Sequence, residues 1–156
     1  MRIDVELAQF LISPVMIIIG TRDAANGPEI GRGVGAGMTD DAEGIEVMFS
    51  AWQWPGVDDN LRDNGRMAVT FARPSDYVSY QLKGRSTLRA AHAQDIERSR
   101  HYMAEMNTVL TRLGLTAELI APWLTDRELR VAVLKVEEIY VQTPGPRAGT
   151  AAGTGA

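Results

Sequence analysis

The chain has 156 residues, 45% hydrophobic and 23% charged, which suits one soluble globular domain long enough to bury a core. Its formal net charge of -4 argues against a nucleic-acid or anionic-membrane footprint, so neither partner is expected. It has no cysteine, which excludes a disulfide framework and thiolate chemistry and makes a cytoplasmic location the expectation.

Asp4 can cap a short helix whose apolar positions Leu7, Phe10 and Leu11 share a face, with Ser13-Pro14 ending it. Arg2 is followed by Asp4 and Glu6 with no long apolar stretch, so this segment does not read as a secretory signal. Val15 to Thr21 is β-branched and bounded by a turn, the pattern of a buried strand. Its apolar run is far too short to span a bilayer. Asn26-Gly27-Pro28 marks a turn.

The next strand carries glycine at every second position from Gly31 to Gly37. Alternate side chains of a strand point to opposite faces, so one face would be bare and the other would carry Ile30, Arg32, Val34, Ala36 and Met38. Glycine weakens a strand, and four at one parity imply close approach of a flat ring, another backbone or a large aromatic side chain.

Asp40 to Gly44 reads as a hairpin loop, returning through Ile45 to Ser50. A short helix from Val57 to Asn64 is closed by Gly65, and a strand from Met67 to Ala72 stops at Arg73-Pro74. Tyr77 to Ala90 is a long strand with a bulge expected at Gly84. Ile96, Met103, Met106, Leu110 and Leu113 recur at helical spacing, giving a helix from about Gln94 to Leu113 closed by Gly114. Thr116 can cap a further short helix, and Leu129 to Val141 is the last strand. The pattern predicts one domain over residues 1–143, and a Gly/Ala/Pro-rich tail over 144–156, partly disordered at its end. Strands in runs, without strand–helix alternation, argue for a mostly β fold: a six-stranded antiparallel barrel with appended helices.

Gly31-x-Gly33-x-x-Ala36 fits the dinucleotide fingerprint formally, but an acidic turn follows where that motif needs a helix start, which excludes it. Lys83, Arg85 and Arg89 share one parity with Ser79 and Gln81. That face is either solvated or the wall of a cleft for a polar, phosphorylated ligand. Trp52 and Trp54 offer stacking surface for a ligand or subunit, or core packing. His92 and His101 have no partner at metal-ligand spacing, so no metal site is expected. No catalytic side-chain constellation is recognisable, so chemistry here would rest on a cofactor.

This order of elements resembles the pyridoxamine 5'-phosphate oxidase-related, FMN-binding split-barrel family. The markers are Ile18-Ile19-Gly20-Thr21 with Gly27-Pro28, Val47-Met48-Phe49-Ser50, Asn60-Leu61-Arg62-Asp63-Asn64 before Met67 to Phe71, Gln81-Leu82-Lys83-Gly84-Arg85-Ser86, and the ending from Gln142 to Gly149. The resemblance implies a six-stranded split barrel with a long helix between the fifth and sixth strands. It also implies a homodimer with two FMN sites at its interface, and flavin oxidation-reduction on a small organic substrate. Some members bind F420 or haem instead, and some have no known activity. The alternative is therefore a non-catalytic flavin or haem carrier, or a cofactor-free dimer.

By position, the resemblance puts Arg32, Gly33, Val34 and Gly35 on the flavin-lining strand, and Phe49 and Ser50 at the next strand end. Ser79 falls where a flavin-contacting glutamine stands, and Gln81 and Trp52 join the candidate cofactor-binding set. Two departures matter. The Arg-Lys pair that clamps the FMN phosphate is replaced by Gly56 and Val57, and a further basic position is Gly37. Arg62, Arg66, Lys83 or Arg85, or the partner subunit, would have to stand in for them.

Overall fold

The computed structural model describes residues 1–152. The elements run α1 (Val5–Leu11), β1 (Met16–Arg22), β2 (Pro28–Met38), β3 (Gly44–Ser50), α2 (Pro55–Asn64), β4 (Arg66–Ala72), β5 (Ser79–Ala90), α3 (Ala93–Arg112), α4 (Ala117–Ile120), a 3-10 turn (Ala121–Trp123) and β6 (Leu129–Val141). The strands close into one barrel in the order β1-β2-β3-β6-β5-β4, every neighbouring pair antiparallel. This is the mostly β barrel with appended helices expected from the sequence, with the long helix α3 between the fifth and sixth strands.

Local chemistry sets the helix ends. The Asp4 carboxylate accepts the Leu7 N–H at 2.8 Å at the start of α1. Pro55 stands at the first position of α2, two residues earlier than the expected start, because its fixed φ suits a helix start and its missing N–H costs nothing there. Gly65 ends α2 at φ 67, and Gly114 lies beyond α3 at φ 93. β5 begins at Ser79, not at Tyr77. Tyr77 has φ 62 and belongs to a turn held by the Arg73–Asp76 ion pair at 2.8 Å. The bulge expected at Gly84 is present, where Lys83 pairs with Glu138 but Gly84 pairs with Val136.

Alternation along the strands builds the core. On β1, Ile17 and Ile19 are buried while Met16, Ile18 and Gly20 are half-buried. Val47, Phe49, Val69, Phe71, Leu82 and Leu134 are all fully buried with them. Helix α3 lies on β2 and adds Tyr102, Met106 and Leu110. The buried Tyr102 hydroxyl donates to the Val15 carbonyl at 2.6 Å, and burial keeps that phenol protonated.

The start of α3 is tied to the barrel through charge. Arg89 on β5 makes two bonds to the Asp95 carboxylate, at 2.6 and 3.0 Å, and reaches Glu46 on β3 at 3.1 Å. Asp95 also accepts the His92 N–H at 2.8 Å. The Arg89 hydrogen bond, helped by the His92 N–H, holds the buried Asp95 carboxyl below its ordinary value. A depressed carboxyl pKa contributes stability above the unfolded value of about 3.9, which is lost as pH falls through the lower folded value. The thermal midpoint of wild type is therefore expected to fall more steeply below about pH 4 than that of Asp95→Asn. Parallel midpoint-against-pH curves for the two proteins would refute this.

After β6 the chain turns back on itself. Gly149 N–H donates to the Val141 carbonyl at 2.8 Å, and Ala152 N–H to the Ile139 carbonyl at 2.9 Å. Of the tail over 144–156 that the sequence expects to be partly disordered, residues 144–152 are described, and 153–156 lie outside the described residues. Among the described residues no helix is long and apolar enough to cross a membrane.

Candidate functional site

The glycine-alternating strand is not bare on one face. A bulge interrupts its pairing with β3: Gly33 stands opposite Phe49, yet Ala36 stands opposite Val47, so Val34 and Gly35 together face Met48. Gly35 at φ 155 takes the bulge conformation that a side chain would resist. The extra residue reverses the parity. Gly31 and Gly33 share the face of their buried partners Ile19 and Phe49, whereas Gly35 and Gly37 turn to the outer side, beneath α3.

The protein's own atoms fill each position. A Cβ on Gly31 would stand 2.9 Å from the Trp54 ring, and one on Gly33 would stand 2.5 Å from Ile17 Cγ2. A Cβ on Gly35 would meet Met48 Sδ at 2.8 Å and the Ser99 backbone at 3.4 Å, and the Arg98 guanidinium lies over Gly37. Among the alternatives open in the sequence, close packing against the chain itself accounts for these glycines. The expectation of a continuous bare face is corrected, because a bulge that glycine permits has no sequence signature among neighbouring glycines.

The structure separates the candidate cofactor residues into three places. Gly33, Val34, Gly35 and Phe49 are buried in the barrel wall and core. Ser50 and Trp52 lie at the end of β3. The Ser50 hydroxyl donates to the Arg127 carbonyl at 2.6 Å and accepts the Gln53 N–H at 3.1 Å. Trp52 is half-exposed, with the Arg127 guanidinium 4.2 Å from its ring centroid.

Arg32, Ser79 and Gln81 share the outer barrel face. Register sets Arg32, Ile18, Thr70, Gln81 and Tyr140 in one row across β2, β1, β4, β5 and β6. Met16, Ala72 and Ser79 form the adjacent row. In the closed six-strand order β2 and β5 stand three places apart either way round, so Arg32 and Gln81 point outward from opposite sides of the barrel. Gln81 Nε2 donates to Thr70 Oγ1 at 3.2 Å, and the buried Ser79 hydroxyl donates to the Tyr77 carbonyl at 3.1 Å. The Arg32 guanidinium lies 4.4 Å from the Trp123 ring centroid. The cleft beside it, lined by Tyr102, Met106 and Leu124, has about 20 Å³, room for one water and not for a ring. Sequence reading missed Trp123, because its 3-10 turn comes close to Arg32 only in the folded chain.

The start of α2 does not fit an FMN phosphate. Val57 is buried against Gly31, and a Cβ on Gly56 would stand 2.8 Å from the Glu29 carboxyl carbon. A carboxylate thus occupies the neighbourhood where the resemblance implies a phosphate and its Arg-Lys clamp, and two anions there would repel. At Gly37 a basic group does stand in, since Arg98 reaches over from α3, but it is held by Glu46 at 3.6 Å. His101 bonds Glu105 at 2.8 Å on the exposed side of α3. Among the described residues no three His, Asp or Glu side chains gather as metal ligands.

No family model and no curated protein matches the chain. Solved structures do. HupZ of Group A Streptococcus is 20% identical, with a TM-score of 0.56 over 94% of this chain and 100% of its own. HutZ, the haem storage protein from Vibrio cholerae, is 16% identical, with a TM-score of 0.53 over 90% of this chain and 95% of its own. A candidate pyridoxamine 5'-phosphate oxidase from Lactobacillus delbrueckii is 12% identical, with a TM-score of 0.55 over 89% and 93%. An F420 reductase is also among the matches. At these identities the likeness is one of architecture: the chain has the split-barrel fold of the pyridoxamine 5'-phosphate oxidase-like proteins.

Proposed function

We propose that this chain is a homodimeric binding protein for a flat redox ring of the flavin class, carried on the outer barrel face where two copies bring Arg32 and Gln81 together. The observation that carries this reading is the row itself. It holds two candidate cofactor residues, with a third one row away, all on half-buried or buried positions of the outer barrel face. Ile18 and Thr70 offer apolar and hydroxyl surface between the two ends. The Arg32 guanidinium and the Gln81 amide supply donors for ring oxygens. A second copy of the chain would exclude water from this face, and Ile30, exposed beside it, would be covered in such a dimer.

A bound flavin supplies hydride or electron transfer, and the protein's residues bind and orient it. Oxidoreductase activity on a small organic substrate belongs to this reading. The start of α2 favours a second reading, a carrier or cofactor-free dimer without catalysis, because Glu29 stands where an FMN phosphate would be clamped.

FMN titrated into the purified protein is expected to lose fluorescence on binding. Arg32→Ala and Gln81→Ala are each expected to weaken that binding about fivefold, the loss of roughly 1 kcal/mol of hydrogen bonding. Sedimentation should give a dimer. Failure to bind FMN or F420, or unchanged affinity in both variants, would rule the reading out.

A further inference from the structure

Beyond the ring-binding row, the same barrel face carries a groove of about 380 Å³, the size of a small-molecule site. Gly20 and Ala68, paired across β1 and β4, form its floor, and Arg22, Arg66 and Lys83 line it. The strand register concentrates charge here. Arg66 stands directly opposite Arg85, Arg85 opposite Lys135, and Ala68 opposite Lys83. Beyond the last β1–β4 pair, Gly20–Ala68, Arg22 and Arg66 line the same groove.

Like charges facing each other across a sheet destabilise it, so a basic row costs the fold unless an anion answers it. The register sets one carboxylate, Glu138, opposite Lys83 and none opposite Arg66 or Arg85. Among the described residues Arg22, Arg66, Lys83 and Arg85 take part in no ion pair. Arg22 donates only to the neutral Asn26 side chain at 2.9 Å, and the Lys83 ammonium lies 4.9 Å from the Tyr140 ring centroid. In a chain of net charge -4 the row is not a by-product of basic composition.

The geometry points to a phosphate-binding groove: Arg22, Arg66 and Lys83, with Arg85 at its margin opposite Arg66, hold the phosphoryl end of a small phosphorylated ligand whose uncharged body lies over Gly20 and Ala68. Glu137 and Glu138 line the groove from β6, with Glu138 next to Lys83 in register and already accepting the Tyr140 hydroxyl. These carboxylates repel a second anion and accept N–H donors, so the ligand has one anionic end and a neutral, hydrogen-bonding one. The site stands whether or not a flavin binds along the Arg32 row.

The test uses inorganic pyrophosphate as the probe, followed by calorimetry and thermal shift, against sodium chloride at matched ionic strength. Wild type is expected to bind it and to melt higher in its presence. The double variant Arg66→Gln, Arg85→Gln is expected to bind about tenfold more weakly or worse. Without ligand it should melt at the wild-type temperature or above, since an opposed pair of cations has been removed. Arg22→Gln, on the neighbouring strand, should weaken binding in the same direction. No binding beyond the sodium chloride control would overturn the proposal, as would unchanged affinity in both variants. Pyrophosphate binding without FMN binding would remove the flavin reading and leave this one standing.

Discussion

Gly84→Ala is expected to lower the unfolding free energy by about 3 kcal/mol, the upper part of the usual range for overpacking. In a domain of this size that is a fall of about 6–12 °C in thermal midpoint. The cause is backbone against backbone. At the β5–β6 bulge the Lys135 carbonyl lies directly over the Gly84 α-carbon, and a Cβ there would also come within 3.1 Å of the carbonyl carbon and 3.3 Å of the Glu137 nitrogen. A side chain could rotate away, whereas a strand carbonyl must move with its ladder. Gly20→Ala is the control. Its nearest neighbour, the Ala68 oxygen, would stand at 3.5 Å, an ordinary contact. Calorimetry should show Gly20→Ala within about 0.5 kcal/mol of wild type. Equal midpoints for the two variants would mean that the bulge does not require glycine.

Phe49→Ala is expected to cost about 3–5 kcal/mol of stability, the loss for a fully buried phenyl ring replaced by a cavity. Phe49 is completely buried, opposite Gly33 on β2 and Arg130 on β6. By sequence position it belongs to the cofactor set, and the two assignments make different predictions. A core residue lowers the denaturation midpoint of the ligand-free protein. A residue that only touches ligand leaves that midpoint alone and weakens binding. Urea unfolding of the ligand-free variant decides between them, and a midpoint equal to wild type would remove Phe49 from the core account.

Much of the barrel was legible because its signals are local. Asp4, Gly65 and Gly114 mark helix ends by their own chemistry, and the bounds of β6 follow from an apolar run between polar turns. The Gly84 bulge was readable because a single glycine interrupts an otherwise regular strand. The bulge at Val34–Gly35 was not, because every neighbour of the same parity is glycine and the apolar pattern that would show a change of phase is missing. That one residue decides what Gly31 to Gly37 are for.

The candidate site was less legible for a related reason. The alignment of Arg32 with Gln81 depends on three strand registers at once. Lys83 and Arg85 were visible as part of a polar strand face, but Arg22 and Arg66 join them only when β1, β4 and β5 pair. Glu29 near Gly56, and Trp123 over Arg32, are likewise contacts between elements distant in sequence.

The closure of the six strands restricts how copies of this chain associate. Because β4 pairs back to β1, the barrel has no free strand edge on which another chain could add a strand. Sheet extension across a subunit boundary is thereby closed off, along with the edge-to-edge aggregation that open sheets invite. Any contact between copies would run through side chains, so single substitutions on the outer face would tune it without disturbing the hydrogen-bonded ladder beneath.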